Sequence, residues 1–292
     1  MTELIAYAGS APQVLARQAD SDTELMQLWL HGRSPHTQRA YRHDIARFLT
    51  HVRRPLAMVA LRDVQGFSDS LVGLADGSKA RKLAAVKSLL TFAQKIGYLQ
   101  YNVGAAVEIP KSKDCLAERI LSEENVIRML SMEQHPRNHA LLRLLYVGGL
   151  RVSEICGLKW RDLQPHEETG QITVFGKGRK TRVIRLTLHV WEAMAAIHGN
   201  AGPDAPVFRS QKGGGHLDPS QALRIVRKAA VRAGIDLAVS PHWMRHAHAS
   251  HALDRGAPIH LVQATLGHSS VATTGRYLHA RPSESSARFL GA

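Results

Sequence analysis

Six side chains of the types that act on phosphate esters occur in five short stretches of this sequence, in a fixed order. Gly148-Gly-Leu-Arg151-Val-Ser-Glu154 sets an arginine after a glycine turn. Gly176-Lys177-Gly178-Arg179-Lys180 offers a lysine on a basic turn, and Ser240-Pro-His242-Trp-Met-Arg245 opens a helix. Ser240 can cap that helix, Pro241 suits its first position, and His242 and Arg245, three apart, share a face in its first turn. Such a helix start offers free N–H groups and a favourable dipole to an anion, and an arginine fork grips phosphate oxygens in bidentate fashion. Leu266-Gly-His268 and Thr273-Thr-Gly-Arg276-Tyr277 complete the series. Each stretch alone has a plain reading: a solvated charge, an exposed turn, a half-buried tyrosine. Together, two arginines, a lysine, two histidines and a tyrosine are what phosphodiester transesterification needs. The cations neutralise charge on a pentacoordinate phosphorane, a histidine or lysine moves protons, and a hydroxyl attacks.

The bulk composition agrees with a polyanionic partner. The 292 residues carry 38 Lys and Arg against 24 Asp and Glu, a net charge of +14. The excess divides into +5 over residues 1–112 and +9 over residues 113–292. Such a balance points to nucleic acid or an anionic membrane surface. No apolar run approaches the roughly 20 residues that span a bilayer, and MTELIAYAGSAPQ has no basic segment ahead of an apolar core. The two cysteines, Cys115 and Cys156, lie far apart and lack metal-ligand spacing, which argues against a disulfide framework and for a reducing cytoplasm. His246, His248 and His251 resemble a metal cluster only superficially. The first two point to different helix faces, and the plain reading is surface or DNA-facing histidine, with no metal.

The elements that must position these residues are mostly helical. Residues 1–20 read as a loose arm. Leu25, Leu28 and Trp29 share a helix face. Ser34-Pro35 starts the next helix, where Tyr41, Ile45, Phe48 and Leu49 form an apolar stripe. A third helical stretch spans about 59–74, and Asp76-Gly77 punctuates it. A fourth carries Leu83, Val86, Leu90 and Ala93, with Gly97 as its C-cap. This gives a helical domain over 21–110. A polar linker follows at 111–119, then a second domain over 120–292 with a tail from 279. Ser122 opens its first helix with capping chemistry. The period then switches to two: residues 171–175 and 182–186 are strands joined by the Lys177 turn. Helices resume at Thr187, with breaks at 199–206, 212–219, 256–258 and Gly267.

Arg151, His242-x-x-Arg245, Leu-Gly-His268 and Tyr277, the last two nine positions apart, resemble the box motifs of the tyrosine recombinase, or phage integrase, family. GGLRVSEICGLKWRDL resembles the first box, TVFGKGRKTRVIRL the lysine hairpin, and SPHTQRAYRHDIARFL the N-terminal core-binding domain. The resemblance covers nearly the whole chain and is of the Xer-like, simple recombinase kind. It implies a mainly α fold with a small β-sheet, a SAM-like helical bundle followed by an α+β catalytic domain. It implies that Tyr277 is the nucleophile of a 3′-phosphotyrosyl intermediate and that Arg151 and Arg245 clamp the non-bridging oxygens. It further implies that Lys177 is the general acid on the 5′-oxygen, that His242 assists proton transfer at Tyr277, that His268 hydrogen-bonds the phosphate, and that Glu154 is the accessory acid. No cofactor is implied, because the bond energy stays in the phosphotyrosine.

The partners implied are a double-stranded recombination site, gripped from two sides, and a homo-tetramer on two paired sites passing through a Holliday junction. Arg39, Arg42, Lys79, Arg81 and Lys82 in the first domain, and Arg179 and Lys180 on the hairpin, are candidate DNA contacts; the alternative for each is a solvated face. Phe289 and Leu290 in the tail could anchor on a neighbouring subunit or on their own domain. The sequence departs from the Xer pattern at Trp243-Met244, at His248 and in its tail, which touches the biological role and not the catalytic set. Two other readings remain open. A type IB topoisomerase uses a similar site without tetramers, and a DNA-binding regulator on the same fold would have no need of Tyr277.

Overall fold

The computed structural model describes residues 18–110, 116–176, 181–211 and 213–280. The chain divides into two compact units, one up to Lys113 and one from Asp114. The first unit contains α1 (Asp22–Leu30), α2 (Pro35–Val52), α3 (Leu61–Asp69) and α4 (Asp76–Lys95). Ser21 and Ser34 cap α1 and α2 by accepting from the backbone N–H groups of Glu24 and Thr37. The α2 stripe turns inward: Ile45 and Phe48 are fully buried, and Phe48 meets Phe67 of α3 edge-on, 5.1 Å between ring centres. Leu83, Val86, Leu89 and Leu90 close the core from α4. Asp76-Gly77 does not end a helix; it is the first turn of α4, and the break falls earlier, in the turns around Gly73.

Two of the expected DNA contacts in this unit are placed otherwise. Asp44 of α2 is fully buried, and its carboxylate accepts from Lys82 Nζ at 2.9 Å and from Arg81 Nη1. Lys82 is buried as well. A buried carboxylate must be paired, and the two α4 cations meet that need. Lys82 is therefore a core residue and not a solvent-facing one, and the charge of Arg81 is half spent within the fold. Arg39 and Arg42 are exposed, and Lys79 is half-buried.

The second unit contains α5 (Glu123–Ser131), α6 (Pro136–Val147), α7 (Val152–Gly157), α8 (Leu188–His198), α9 (Pro219–Arg232), α10 (Pro241–Asp254), α11 (Ile259–Leu266) and α12 (Val271–Ala280). Between α7 and α8 lies an antiparallel sheet in the order β1 (Leu163–His166), β2 (Thr169–Phe175), β3 (Thr181–Arg185). The sequence reading found β2 and β3 and missed β1. That strand is four residues long and contains Pro165, which an edge strand tolerates. On β2, Gly170, Ile172 and Val174 point inward. Gly170 leaves room for Trp191 of α8, whose nearest ring atom would lie 2.1 Å from an added Cβ.

The main core gathers α6, α8, α9 and the sheet. A smaller cluster lies where α10, α11 and α12 meet: Leu116, Ile120, Ala249, Val262, Leu266 and Tyr277. Leu116 and the 3₁₀ turn Ala117–Arg119 fall within the expected linker, so its last residues are built into the second unit. Among the described residues, no helix is long and apolar enough to cross a membrane.

Candidate active site

Gly148-Gly149 does two things after α6. Gly149 adopts φ +58, and its bare Cα lies where a Cβ would meet His248 and Leu266, both at 2.9 Å. The turn aims the Gly149 carbonyl inward, where Arg245 Nη1 donates to it at 2.5 Å; Arg245 Nη2 donates to the Leu266 carbonyl at 2.6 Å. Arg245 is 1% exposed. Its burial, and then the charge of Arg151, bring its pKa down to about 10, so it stays cationic at neutral pH. Two carbonyls thus fix the guanidinium from two different elements.

Arg151 stands at the N-cap of α7. Its backbone N–H donates to Glu154 Oε2 at 2.8 Å, its Nη1 to Glu154 Oε1 at 2.8 Å, and its Nη2 to the Gly267 carbonyl at 3.4 Å. Glu154 also accepts from Arg182 on β3, Nη1 at 3.0 Å and Nη2 at 2.8 Å. Burial pushes the Glu154 carboxyl up, but the hydrogen bonds and charge of Arg182 and the backbone and side-chain hydrogen bonds of Arg151 outweigh it and hold the pKa at about 2. Arg182 Nε donates to the Thr265 carbonyl at 2.8 Å, so one side chain ties β3, α7 and α11 together.

His268 follows Gly267, whose left-handed φ of +64 ends α11. Its Nδ1 is bonded to Thr274 Oγ1 at 2.9 Å, and Thr274 is fully buried. The ring lies parallel to that of Tyr277, 6.4 Å between centres. Burial, then the charges of Arg245 and Arg151, lower its pKa to about 4, so it is a neutral imidazole at pH 7. Tyr277 sits on α12, 5% exposed, and burial pushes its phenol up despite Arg245 and Arg276.

His242 and Arg245 stand in the first turn of α10 as the sequence predicts, but the turn is half sunk: His242 is exposed while Arg245 is buried. Ser240 makes no side-chain capping bond. The tyrosine has a partner that the motif series does not include. Its hydroxyl is bonded to His246 Nδ1 at 2.7 Å and not to His242, whose ring packs against that of His246 at 4.3 Å. His246, expected from the sequence to be a surface or DNA-facing side chain, is 9% exposed and inside the site. His251 is also buried, bonded to Tyr146 Oη at 2.9 Å and the Leu121 carbonyl at 3.0 Å, and His248 packs under Gly149. Among the described residues, no group of three or more His, Cys, Asp and Glu is placed to hold a metal ion.

The structure therefore brings Arg151, Glu154, Arg245, His268 and Tyr277 together with His242 at the rim. Lys177, Arg179 and Lys180 lie outside the described residues. Arg182, His246 and Thr274 are the residues that sequence reasoning missed. For His246 a signal existed: it is four residues from His242 and so shares its helix face. For Arg182 none did.

A mainly helical chain whose second unit gathers fixed cations, neutral imidazoles and one buried tyrosine is of the class that transfers DNA strands through a tyrosine. The chain belongs to the phage integrase, or tyrosine recombinase, family: residues 119–284 match that family and residues 25–97 match its N-terminal SAM-like domain. It is 33% identical to the tyrosine recombinase XerC of Xanthomonas campestris pv. campestris over 258 residues, 84% of this chain and 79% of that one. In fold it is similar to XerH recombinase bound to its difH substrate before cleavage, with a TM-score of 0.69, 19% identity, and 89% and 81% of the two chains covered. It is also similar to a lambda integrase tetramer bound to a Holliday junction, with a TM-score of 0.69, 16% identity, and 91% and 83% covered. The protein is thus a site-specific tyrosine recombinase that cleaves and religates DNA.

Proposed function

We propose that the site performs strand exchange with Tyr277 as nucleophile. Tyr277 Oη forms a bond to the scissile phosphorus, the bond from phosphorus to the 5′-oxygen breaks, and the strand is left as a 3′-phosphotyrosyl ester with a free 5′-hydroxyl. Arg151 and Arg245 hold the non-bridging oxygens, and His268 and His242 add hydrogen bonds to the same phosphate. Glu154 orients Arg151. Lys177 protonates the departing 5′-oxygen, a role that rests on the hairpin's resemblance to the family. Reversing the step onto another strand's 5′-hydroxyl rejoins the DNA, so neither ATP nor a metal enters.

The observation that carries this reading is the convergence of Arg245 and Tyr277. Arg245 is locked by two backbone carbonyls, and one of these belongs to Leu266, which packs in the same small buried cluster as Tyr277. Residues 21–110 would serve as the core-binding domain, 111–119 as the link, and 120–292 as the catalytic domain. Arg39, Arg42 and Lys79 would contact the backbone phosphates, so affinity would fall steeply with salt. Four copies would act on two paired sites in the cytoplasm, a reading supported by the likeness to the lambda tetramer.

The test is covalent capture. Duplexes that the protein binds are selected from a random library, and the recovered site is built as a nicked suicide substrate. Wild type should give a protein–DNA adduct on a denaturing gel and Tyr277→Phe none. An adduct from Tyr277→Phe would overturn the nucleophile. Relaxation of supercoils without recombination between paired sites would favour a topoisomerase.

A further inference from the structure

Among the described residues the hydroxyl of Tyr277 has one hydrogen-bond partner close at hand, and it is not the one that the resemblance implies for it. His246 Nδ1 lies 2.7 Å from Tyr277 Oη, with both side chains buried. We propose that His246 is a further catalytic residue of the recombination reaction: its neutral imidazole accepts the Tyr277 O–H, aims the oxygen, and takes the phenolic proton as the Oη–phosphorus bond forms. The proposal rests on Tyr277 being the nucleophile.

The chemistry follows from which group carries a proton. Burial drives His246 down to about 3 and Tyr277 up, so at neutral pH the imidazole is unprotonated and the phenol is intact. With the imidazole hydrogen on Nε2, Nδ1 presents a lone pair to the hydroxyl. The O–H then points at His246, and the oxygen lone pairs are left for the phosphorus.

The surroundings explain why the imidazole is neutral before the reaction. On its own helix it faces His242 and Arg245, from the 3₁₀ turn Arg119, and from α12 Arg276 and Tyr277, with His268 beyond the tyrosine ring. Every charge in that set is positive. A bound phosphodiester adds a negative charge beside these cations, which raises the proton affinity of the imidazole when the proton must move. Forward, the proton passes from Oη to Nδ1 as the bond to the 5′-oxygen breaks. In religation it returns from Nδ1 to Oη as the phosphotyrosyl ester is cleaved.

His246→Phe keeps a ring and removes the acceptor. His246→Asn keeps an acceptor oxygen near the Nδ1 position but takes up no proton. With the suicide substrate in single turnover, His246→Phe should form adduct at least tenfold more slowly than wild type at pH 7. The deficit should shrink as pH rises toward phenol ionisation, because hydroxide then removes the proton. His246→Asn should recover part of the loss at pH 7 and show the same rise with pH. A deficit that is constant across pH, or no deficit in either variant, would overturn the role of His246. Tyr277→Phe, run beside them, separates the two ideas: an adduct there sinks the nucleophile, whereas its absence with unimpaired His246 variants sinks only the acceptor. Matching melting curves for the variants and wild type exclude loss of fold as the cause.

Discussion

The guanidinium of Arg182 on β3 grips both carboxylate oxygens of Glu154 on α7, at 3.0 and 2.8 Å. Glu154 uses the same two oxygens to hold the backbone N–H and the guanidinium of Arg151. A strand residue outside the six motif side chains thereby sets the geometry of one of them. Because the side chains of Glu154 and Arg182 are 5% and 12% exposed, solvent screens the pair weakly. Arg182→Ala leaves the carboxylate short of a partner inside the fold. It should destabilise the protein by about 3 kcal/mol in urea titration and slow single-turnover cleavage. Arg182→Lys keeps the charge without the fork and should fall between the two.

Acid should act on the same region in two stages. Three imidazoles, those of His246, His248 and His268, have native pKa values lowered to between about 3 and about 4, below the ordinary 6.5. Below pH 6.5 the unfolded chain binds protons that the native site refuses, so stability should fall as pH drops from 6.5 toward 4. Glu154 has its carboxyl lowered from 4.5 to about 2. Its contribution is complete above 4.5 and is lost as pH falls from there through 2. Urea midpoints measured from pH 7 to 3 should decline throughout. His268→Gln should flatten the upper part of that decline and leave the lower part.

Gly149 should tolerate no side chain. Alanine would occupy a left-handed backbone and press on His248 and Leu266 at 2.9 Å. Strain of this kind costs about 1–3 kcal/mol, and relieving it would turn the carbonyl away from Arg245. Gly149→Ala should lower the melting temperature. It should also slow adduct formation more than its stability loss alone would at a temperature where it is fully folded.

In the first unit, Asp44→Ala would strand the buried Lys82 ammonium. Breaking a buried pair in this way costs about 3–5 kcal/mol, read as a shift of the urea midpoint. Lys82→Met with Asp44→Asn removes both charges and should restore most of it. If Lys82 faced DNA instead, Lys82→Met would weaken binding to a nonspecific duplex and reduce its salt dependence; no such change is expected.

Much was legible in the sequence because it was local. The α2 stripe of Tyr41, Ile45, Phe48 and Leu49, the Ser34-Pro35 start, the Gly267 stop and the alternation of β2 are set by neighbours within a turn or two. The ordered series from Arg151 to Tyr277 likewise pointed to a phosphate chemistry by residue type, and its motifs resembled those of a known family. Strand β1 escaped because four residues with a proline carry no period, and its pairing with β2 comes from the rest of the sheet.

What the tertiary structure decided is which charges and rings meet. Sequence spacing gives a side chain's direction on its own helix but says nothing of the surface packed against that helix. Lys82 and Arg39 look alike as basic helix residues, yet one covers a buried Asp44 and the other faces solvent. His242 and His246 lie on one face, and only the packing of α12 over α10 determines that the second reaches Tyr277. Arg182 acquires its role from Glu154, 28 residues away in sequence, and from the Thr265 carbonyl, 83 residues away. The sequence alone specified the helices, the chemistry and the family. The proton acceptor and the clamp came from long-range burial, which leaves a polar group no choice but the partner that folding brings to it.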